Sequence, residues 1–373
     1  MTGAVRRILM TTDAVGGVWI YSTTLARALA ASGYHVTLVT MGPKPSPSRL
    51  AEIADLFPHV GLIITDTALE WMDPEGEDAK RAGELLLRIA TQLRPDLIHL
   101  NGFREASLPW PVPVVVVAHS CVTSWWQACR GGQPDDARWL QYRQAVSAGL
   151  RAADVWVAPT ESFRRTISGL YQPMTRGRVI HNGIDAVARG AVGKRDIVLA
   201  SGRIWDEAKN IAAVAAVAPR LPWRVQIAGP LQEPDTAPNT PPAAVDWLGE
   251  LSRADLLERM QRAAIYVAPA RYEPFGLGVL EAASAGCALV LSDIPTLREL
   301  WEDAAEFVPP DDADRLAQIL GTLCRDDARR RCLQRAATQR AATYSIGRTL
   351  ARYRDLYQHV LAPSLASTQE VFA

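Results

Sequence analysis

The 373-residue sequence has no net charge, because 40 Lys and Arg balance 40 Asp and Glu. A chain that works mainly by gripping nucleic acid normally shows a basic excess, so the balance argues against that class while leaving room for a small cationic pocket. Cysteine is scarce. Five residues, at 121, 129, 287, 324 and 332, are odd in number and loosely spaced, with no CxxC pair. They argue against a disulfide framework and fit a reduced, cytoplasmic compartment. No His/Cys cluster has metal-ligand spacing, so no metal is expected. Long apolar runs are missing as well. The opening MTGAVRRILMTTDAVGG has a basic pair but too short an apolar stretch for a signal-peptide core or a membrane span. The longest later run, Val112–Ala118, has the length of a buried strand. Peripheral contact at the inner face of a membrane leaves only weak traces in sequence and stays open.

What is present is ordinary globular material, 48% hydrophobic and 21% charged, in a length that suits two domains. Continuous apolar runs at Arg7–Thr12, His35–Met41, Gly61–Asp66, Asp96–Asn101, Pro113–Ala118, Asp154–Pro159 and Arg178–Asn182 read as strands of a parallel sheet covered on both faces. Helical patterns such as Tyr21–Ser32 and Gly83–Gln92 lie between them, and Gly33 suits a helix C-terminal cap. The pattern then restarts, with strands at Asp196–Ser201, Trp223–Ala228, Ala264–Pro269, Ala288–Ser292 and Glu306–Pro309. Helices are expected at Ala254–Gln261, Gly278–Ala285 and Ala313–Leu323. Two doubly wound α/β domains follow, joined near Asp185–Lys194, with a Pro-rich loop at Pro230–Pro242. An Arg-rich helical run at Asp326–Thr343 precedes an amphipathic helix at Ile346–Val360, which either packs on the second domain or crosses back to the first.

Ligands of open α/β sheets bind at the carboxyl ends of the strands, so the loops there were read for chemistry. In Asp13-Ala-Val-Gly-Gly-Val-Trp19, Gly16 and Gly17 allow a ligand close to the backbone, although the dinucleotide GxGxxG spacing is absent. In Ser201-Gly-Arg-Ile-Trp-Asp-Glu-Ala-Lys-Asn210, Arg203 and Lys209 either neutralise a diphosphate or pair with Asp206 and Glu207 in a solvated loop. In Arg271-Tyr-Glu-Pro-Phe-Gly-Leu-Gly-Val-Leu-Glu281, a helix should start near Leu277 or Gly278, with its free N–H groups offering a phosphate seat. Glu281, expected in the first turn, and Glu273, on the loop, then flank that seat. Helix-dipole placement and a solvent-facing turn are the plainer readings of the two. His119 ends an apolar strand, where a lone histidine is more often structural. Asp312-Ala-Asp314 looks like a metal-binding DxD but is better explained as a helix N-cap. Eleven tryptophans are many. Trp19, Trp125, Trp126 and Trp205 fall in or near the expected cleft loops, and Trp125 and Trp126 are the candidates for stacking on an acceptor sugar, against a background of ordinary packing.

These stretches, together with VIHNGID at 179–185 and SDIPTLREL at 292–300, stand in an order and spacing that resembles the family 4 retaining glycosyltransferases of the GT-B fold. The resemblance covers nearly the whole chain. It implies two Rossmann-like domains facing across a cleft, residues 1–185 forming the acceptor domain and 186–345 the donor domain, with residues 346–373 crossing back to the first. By resemblance Glu281 would hold the donor ribose and Glu273 the transferred sugar. Phe275, Gly276 and Leu277 would present backbone N–H groups, Arg203 and Lys209 would bind the diphosphate, Gly17 with Gly16 would approach it from the first domain, and His119 would lie near the donor sugar. His181 departs from the family's more usual proline.

The expected activity is transfer of a sugar from a nucleoside-diphosphate donor, taken as a UDP-sugar, to a hydroxyl of a carbohydrate or lipid-linked acceptor, without metal or cofactor. A nucleotide-sugar epimerase, a phosphorylase and a non-catalytic nucleotide-sugar binder are the alternatives on the same fold. Residues 1–185 hold 18 basic and 17 acidic residues, which gives the acceptor domain no strong bias toward anionic lipid.

Overall fold

The computed structural model describes residues 6–56, 59–187, 193–231 and 243–362. The core of the expected domain join, most of the Pro230–Pro242 loop and the tail from Pro363 lie outside the described residues. The first half runs β1 (Arg7–Asp13), α1 (Gly17–Ala31), β2 (His35–Met41), α2 (Pro47–Glu52), β3 (Val60–Ile64), α3 (Ala79–Leu93), β4 (Leu97–Leu100), β5 (Val114–Val117), α4 (Val122–Arg130), α5 (Ala137–Ala152), β6 (Val155–Ala158), α6 (Glu161–Tyr171) and β7 (Arg178–Val179). The second runs β8 (Arg195–Ser201), α7 (Ile211–Val217), β9 (Arg224–Ala228), β10 (Asp246–Trp247), α8 (Arg253–Arg262), β11 (Ala263–Ala268), α9 (Leu277–Ser284), β12 (Ala288–Ser292), α10 (Pro295–Trp301), β13 (Glu306–Val308), α11 (Ala313–Arg325) and α12 (Asp327–Ala341). The last helix is α13 (Ile346–Leu361).

Each half builds one parallel sheet, of order β3-β2-β1-β4-β5-β6-β7 and β10-β9-β8-β11-β12-β13. Alternate residues of a strand feed opposite faces. Ile8 and Met10 of β1 enter one cluster with Trp19 and Leu25, and Leu9 enters the other with Ile98 and Trp156. Both faces are covered, so all of Val114–Val117 and Ala288–Ser292 are buried. That is why these segments are apolar throughout rather than alternating. The strand order reverses beside β1 and beside β8, and a crevice opens at such switch points. The loops after β1 and β8 are the glycine and arginine loops singled out above.

The crossing of α13 is set by polar contacts as much as by burial. Tyr353, Leu356 and Tyr357 join the first-domain cluster that contains Trp19, Tyr21 and Leu25. The Tyr21 hydroxyl donates to that of Tyr353 at 2.6 Å, and His99 Nδ1 pairs with the Tyr357 hydroxyl at 2.7 Å. At the crossover, Ile346 N–H donates to the Ile184 carbonyl at 2.9 Å. A side chain at Gly183 would lie 2.5 Å from the Ser345 carbonyl, so only glycine permits this approach. His181, a few residues earlier, donates from Nδ1 to the Pro159 carbonyl at 2.8 Å, which gives the departure from proline a local anchoring role.

His99 has no accessible surface, and desolvation pushes its imidazole down to about 3 from 6.5. The unfolded chain therefore takes up that proton first, and this residue makes stability fall as pH drops from 6.5 toward 3. Tyr357→Phe removes the partner of His99 Nδ1 and leaves a buried ring nitrogen unsatisfied. It should cost about 1–3 kcal/mol, seen as a lower urea midpoint with an unchanged slope.

Candidate active site at the domain cleft

Most helices here begin with a side chain closing the first turn. Ser46, Thr160, Ser252, Asp312, Asp326 and Ser345 each accept a backbone N–H in this way. Asp312 is thus the N-cap expected of the apparent DxD. Helices α1 and α9 differ. Their N-caps are Gly16 and Gly276, no side chain caps either, and neither has an acidic residue in its first turn. Both ends keep free N–H groups and positive dipole charge. They also converge. A Cβ on Gly17 would lie 3.7 Å from Leu277 Cδ1, and one on Gly16 would lie 3.3 Å from Arg203 Nη1. Gly276 holds φ at +87°, a left-handed turn that aims the α9 terminus into the cleft and that L side chains rarely adopt.

The cations beside these termini are already partnered. Arg203 is held by Asp206, whose Oδ2 accepts Nη2 at 2.5 Å and Nε at 3.2 Å. Lys209 Nζ donates to Glu273 Oε2 at 2.6 Å. Of the two pairings expected within this loop, Arg203 with Asp206 forms, though Asp206 is buried, whereas Lys209 turns to Glu273 and Glu207 pairs with Arg130 of α4. Glu273 is fixed from behind, because its backbone carbonyl accepts from the Thr296 hydroxyl at 2.6 Å. The next carbonyl, of Pro274, accepts from Thr160 of the first domain at 3.1 Å. Phe275 turns its ring into the second-domain core and is buried together with Pro274 and Gly276.

Glu281 needs a correction. Helix α9 starts at Leu277, so Glu281 is the fifth helical residue and lies in the second turn, not the first. Its carboxylate is buried and accepts from Arg253 Nε at 2.9 Å. Burial raises its proton affinity, opposed by that arginine. Arg253 had no signal in the sequence beyond its position on an amphipathic helix.

His119 stands across the cleft with a defined tautomer. Asn101 Nδ2 donates to the Thr11 carbonyl at 2.6 Å, so Asn101 Oδ1 is the acceptor facing His119 Nε2 at 2.8 Å. Nε2 then carries the hydrogen and Nδ1 keeps a lone pair. Desolvation holds the imidazole down at about 3, so it is neutral at physiological pH. Its ring meets the edge of Tyr21 at 4.4 Å between centroids. Trp19 is 1% exposed and belongs to the core rather than the cleft. Trp125 and Trp126 sit on α4, a helix absent from the sequence reading, with the Arg130 guanidinium 5.2 and 4.7 Å from their ring centroids. The Trp125 indole N–H reaches Asp206 Oδ1 in the second domain at 3.4 Å. Tyr272 reaches the other way, its hydroxyl accepting from Cys121 N–H at 3.1 Å and bonding Ser124 Oγ at 2.8 Å.

One carboxyl group escaped sequence reasoning altogether. Glu70 Oε2, on the loop after β3, accepts from the backbone N–H groups of Phe103 and Arg104 at 3.0 and 2.9 Å. It ties that loop to the carboxyl end of β4, next to Asn101. Among the described residues no group of three or more acidic, His or Cys side chains is arranged to hold a metal ion, and no helix is long and apolar enough to cross a membrane.

Two facing α/β domains, a switch-point cleft and a helix crossing back make the GT-B architecture. Glycosyltransferase models match both halves, and the chain is a glycosyltransferase of the family 4 type. The model of Glycosyltransferase Family 4 matches residues 15–187, and that of Glycosyl transferases group 1 matches residues 185–340. A glycogen synthase of Mycobacterium tuberculosis is 29% identical over 366 residues, covering 87% of this chain and 86% of that protein. Among solved structures, a sucrose-phosphate synthase from Thermosynechococcus elongatus superposes with a TM-score of 0.79 at 19% identity, covering 96% of this chain and all of that one. Anabaena HepE, solved in complex with UDP and glucose, does so at 0.72 and 15%, covering 95% and 99%.

Burial and the neighbouring Glu105 carboxylate raise Glu70 to about 7 from 4.5, outweighing Arg104. The unfolded chain loses this proton first, so the residue makes stability fall as pH rises from 4.5 to 7. Glu70→Gln keeps one oxygen for both N–H groups and cannot ionise. Its melting temperature should exceed the parent's at about pH 8 and match it near pH 4.5.

Proposed function

We propose that this glycosyltransferase moves a sugar from a nucleoside-diphosphate donor, a UDP-sugar, to a hydroxyl of a carbohydrate or lipid-linked acceptor, with retention of configuration and without a metal. The observation that carries the reading is the meeting of two uncapped helix N-termini with Arg203 between them. A diphosphate is the ligand such a place suits, since N–H groups, dipole ends and a guanidinium all favour negative charge. Kinship with a glycogen synthase supports an acceptor of carbohydrate type, and HepE's complex with UDP and glucose supports the donor class.

In this reading the phosphates lie between Gly16, Gly17, the α9 terminus, Arg203 and Lys209. Glu273 takes the sugar hydroxyls, and Glu281 takes the ribose once Arg253 shares it. The neutral Nδ1 of His119 accepts a hydroxyl of the sugar. Charge that builds on the departing diphosphate is met by groups already in place, so little reorganisation is needed at the moment of reaction. The bond from the anomeric carbon to phosphate breaks as the bond to the acceptor oxygen forms on the same face. The acceptor proton passes to a phosphate oxygen of the leaving group.

A panel of UDP-, GDP- and ADP-sugars tests the donor. At about a hundred times its dissociation constant the true donor should stabilise the fold by about 2.7 kcal/mol, and UDP-sugars are expected to lead. No shift with any of them overturns the reading. Glu273→Ala should melt near the parent and lose about a hundredfold in turnover, measured as acceptor-dependent release of nucleoside diphosphate. Unchanged turnover would count against the donor seat.

Gly16→Ala offers a milder probe. Its φ of −151° lies outside the left-handed range that favours glycine, so the fold should persist. The added methyl would crowd Arg203 Nη1, and nucleoside diphosphate affinity should fall about five- to tenfold.

A further inference from the structure

Arg203 has five N–H donors in a rigid fork, and what it offers a ligand depends on which are engaged. Asp206 engages two of them, Nε and one on Nη2, through a single oxygen. Nη1 is left facing the glycine loop of the first domain. The other oxygen of Asp206 is also occupied. Oδ1 accepts the Ala208 backbone N–H at 3.0 Å, which fixes the carboxylate to its own loop, and the Trp125 indole N–H at 3.4 Å, which comes from the opposite domain. The Asp206 side chain is 7% exposed. A buried carboxylate with both oxygens committed has one orientation, and so does the guanidinium it grips.

Asp206 is thus the point where a first-domain helix touches the arginine of the donor loop. Two further contacts hold α4 against the same region. Arg130 pairs with Glu207 at 2.8 Å, and Tyr272 inserts its hydroxyl between Cys121 and Ser124. The contacts of α4 with Asp206, Glu207 and Tyr272 all run between the domains, so parting the domains would break them.

We propose that Asp206 is a positioning residue that couples closure of the two domains to the aim of Arg203 at the ligand's phosphates, with Trp125 of α4 as its partner across the cleft. When α4 docks, the indole N–H completes the shell of Asp206, and the carboxylate holds Arg203 edge-on with Nη1 directed at the anion seat. When α4 withdraws, Oδ1 loses that donor and the arginine loses its fixed aim. Trp125 therefore acts on phosphate binding without touching the ligand. This rests on the diphosphate seat proposed above.

The test uses the full-length chain with UDP, UMP and uridine as probes, and GDP, GMP and guanosine in their place if the panel favours GDP. Asp206→Asn and Trp125→Phe are expected to weaken the diphosphate about tenfold and threefold, with uridine affinity unchanged and melting temperatures near the parent's. The advantage of diphosphate over monophosphate should shrink in both. A merely structural role would weaken all three probes together. The double variant should be no weaker than Asp206→Asn alone, because both substitutions break one relay. Unchanged diphosphate affinity in Asp206→Asn, or losses that multiply in the double variant, overturns the inference. Arg203→Ala separates the two claims. If it leaves diphosphate affinity intact, the seat itself is wrong; if it abolishes that affinity while Asp206→Asn does not change it, only the relay is wrong. Should Asp206→Asn fail to fold, Trp125→Phe carries the test alone, and equal affinity for UDP in that variant overturns the coupling.

Discussion

Two helices that end in open N–H groups a few ångströms apart are an unfavourable arrangement by themselves. Each terminus carries about half a positive charge, and no side chain caps the first-turn N–H groups of either, since Asp13 accepts only from Val15 and Gly16, ahead of α1. In most other helices that deficit is met locally by a capping side chain, as by Thr160, Asp312 and Ser345, although α3, α7 and α10 are uncapped as well. At α1 and α9 it is left to whatever enters the cleft. Glycine at both N-caps is what makes this tolerable, because a side chain at Gly16 would crowd Arg203 of the opposite domain and Gly276 holds a positive φ that L side chains rarely adopt. The fold therefore keeps one region short of negative charge and closes it with two sheets whose switch points face each other.

Around that region the charged side chains are paired with one another. Arg203 and Lys209 are each held by a carboxylate, and Glu281 by Arg253. Such pairs keep buried charges compensated while the cleft is unliganded, and they are spaced so that a ligand can share them rather than displace them. The neutral His119, held through Asn101 to the Thr11 carbonyl of β1, adds an acceptor without adding charge. In the proposed reading the combination would serve phosphates on one side and sugar hydroxyls on the other.

Much of this was legible in the sequence, for physical reasons. Strands buried on both faces must be apolar at every position, so Val114–Val117 and Ala288–Ser292 announce themselves. Edge strands obey no such rule, and the two-residue β10 left no trace. Helices α4 and α5 were hidden because their surfaces are shared with other elements and carry polar residues between the aromatic ones. The loop residues Gly16, Arg203, Lys209 and Glu273 were visible as residue types placed at strand ends. Their partners were not. Asn101 lies 18 residues before His119, Arg253 lies 28 before Glu281, and Trp125 lies 81 before Asp206. Contacts over such separations follow from how sheets face each other, which no local pattern encodes. The start of α9 at Leu277 was legible, but Glu281, as its fifth residue, falls just past a first turn of 3.6 residues.

The crossing of α13 has a bearing on how the protein comes into being. During synthesis the first sheet leaves the ribosome long before residues 346–361, yet the bonds from Tyr21 to Tyr353 and from His99 to Tyr357 need that last helix. The nascent first half must wait with part of its interior uncovered while the entire second half is made and folds in between. A chain cut anywhere between the two sheets would release a half-molecule lacking one wall, so the gene cannot be split at the visible seam into two independent pieces.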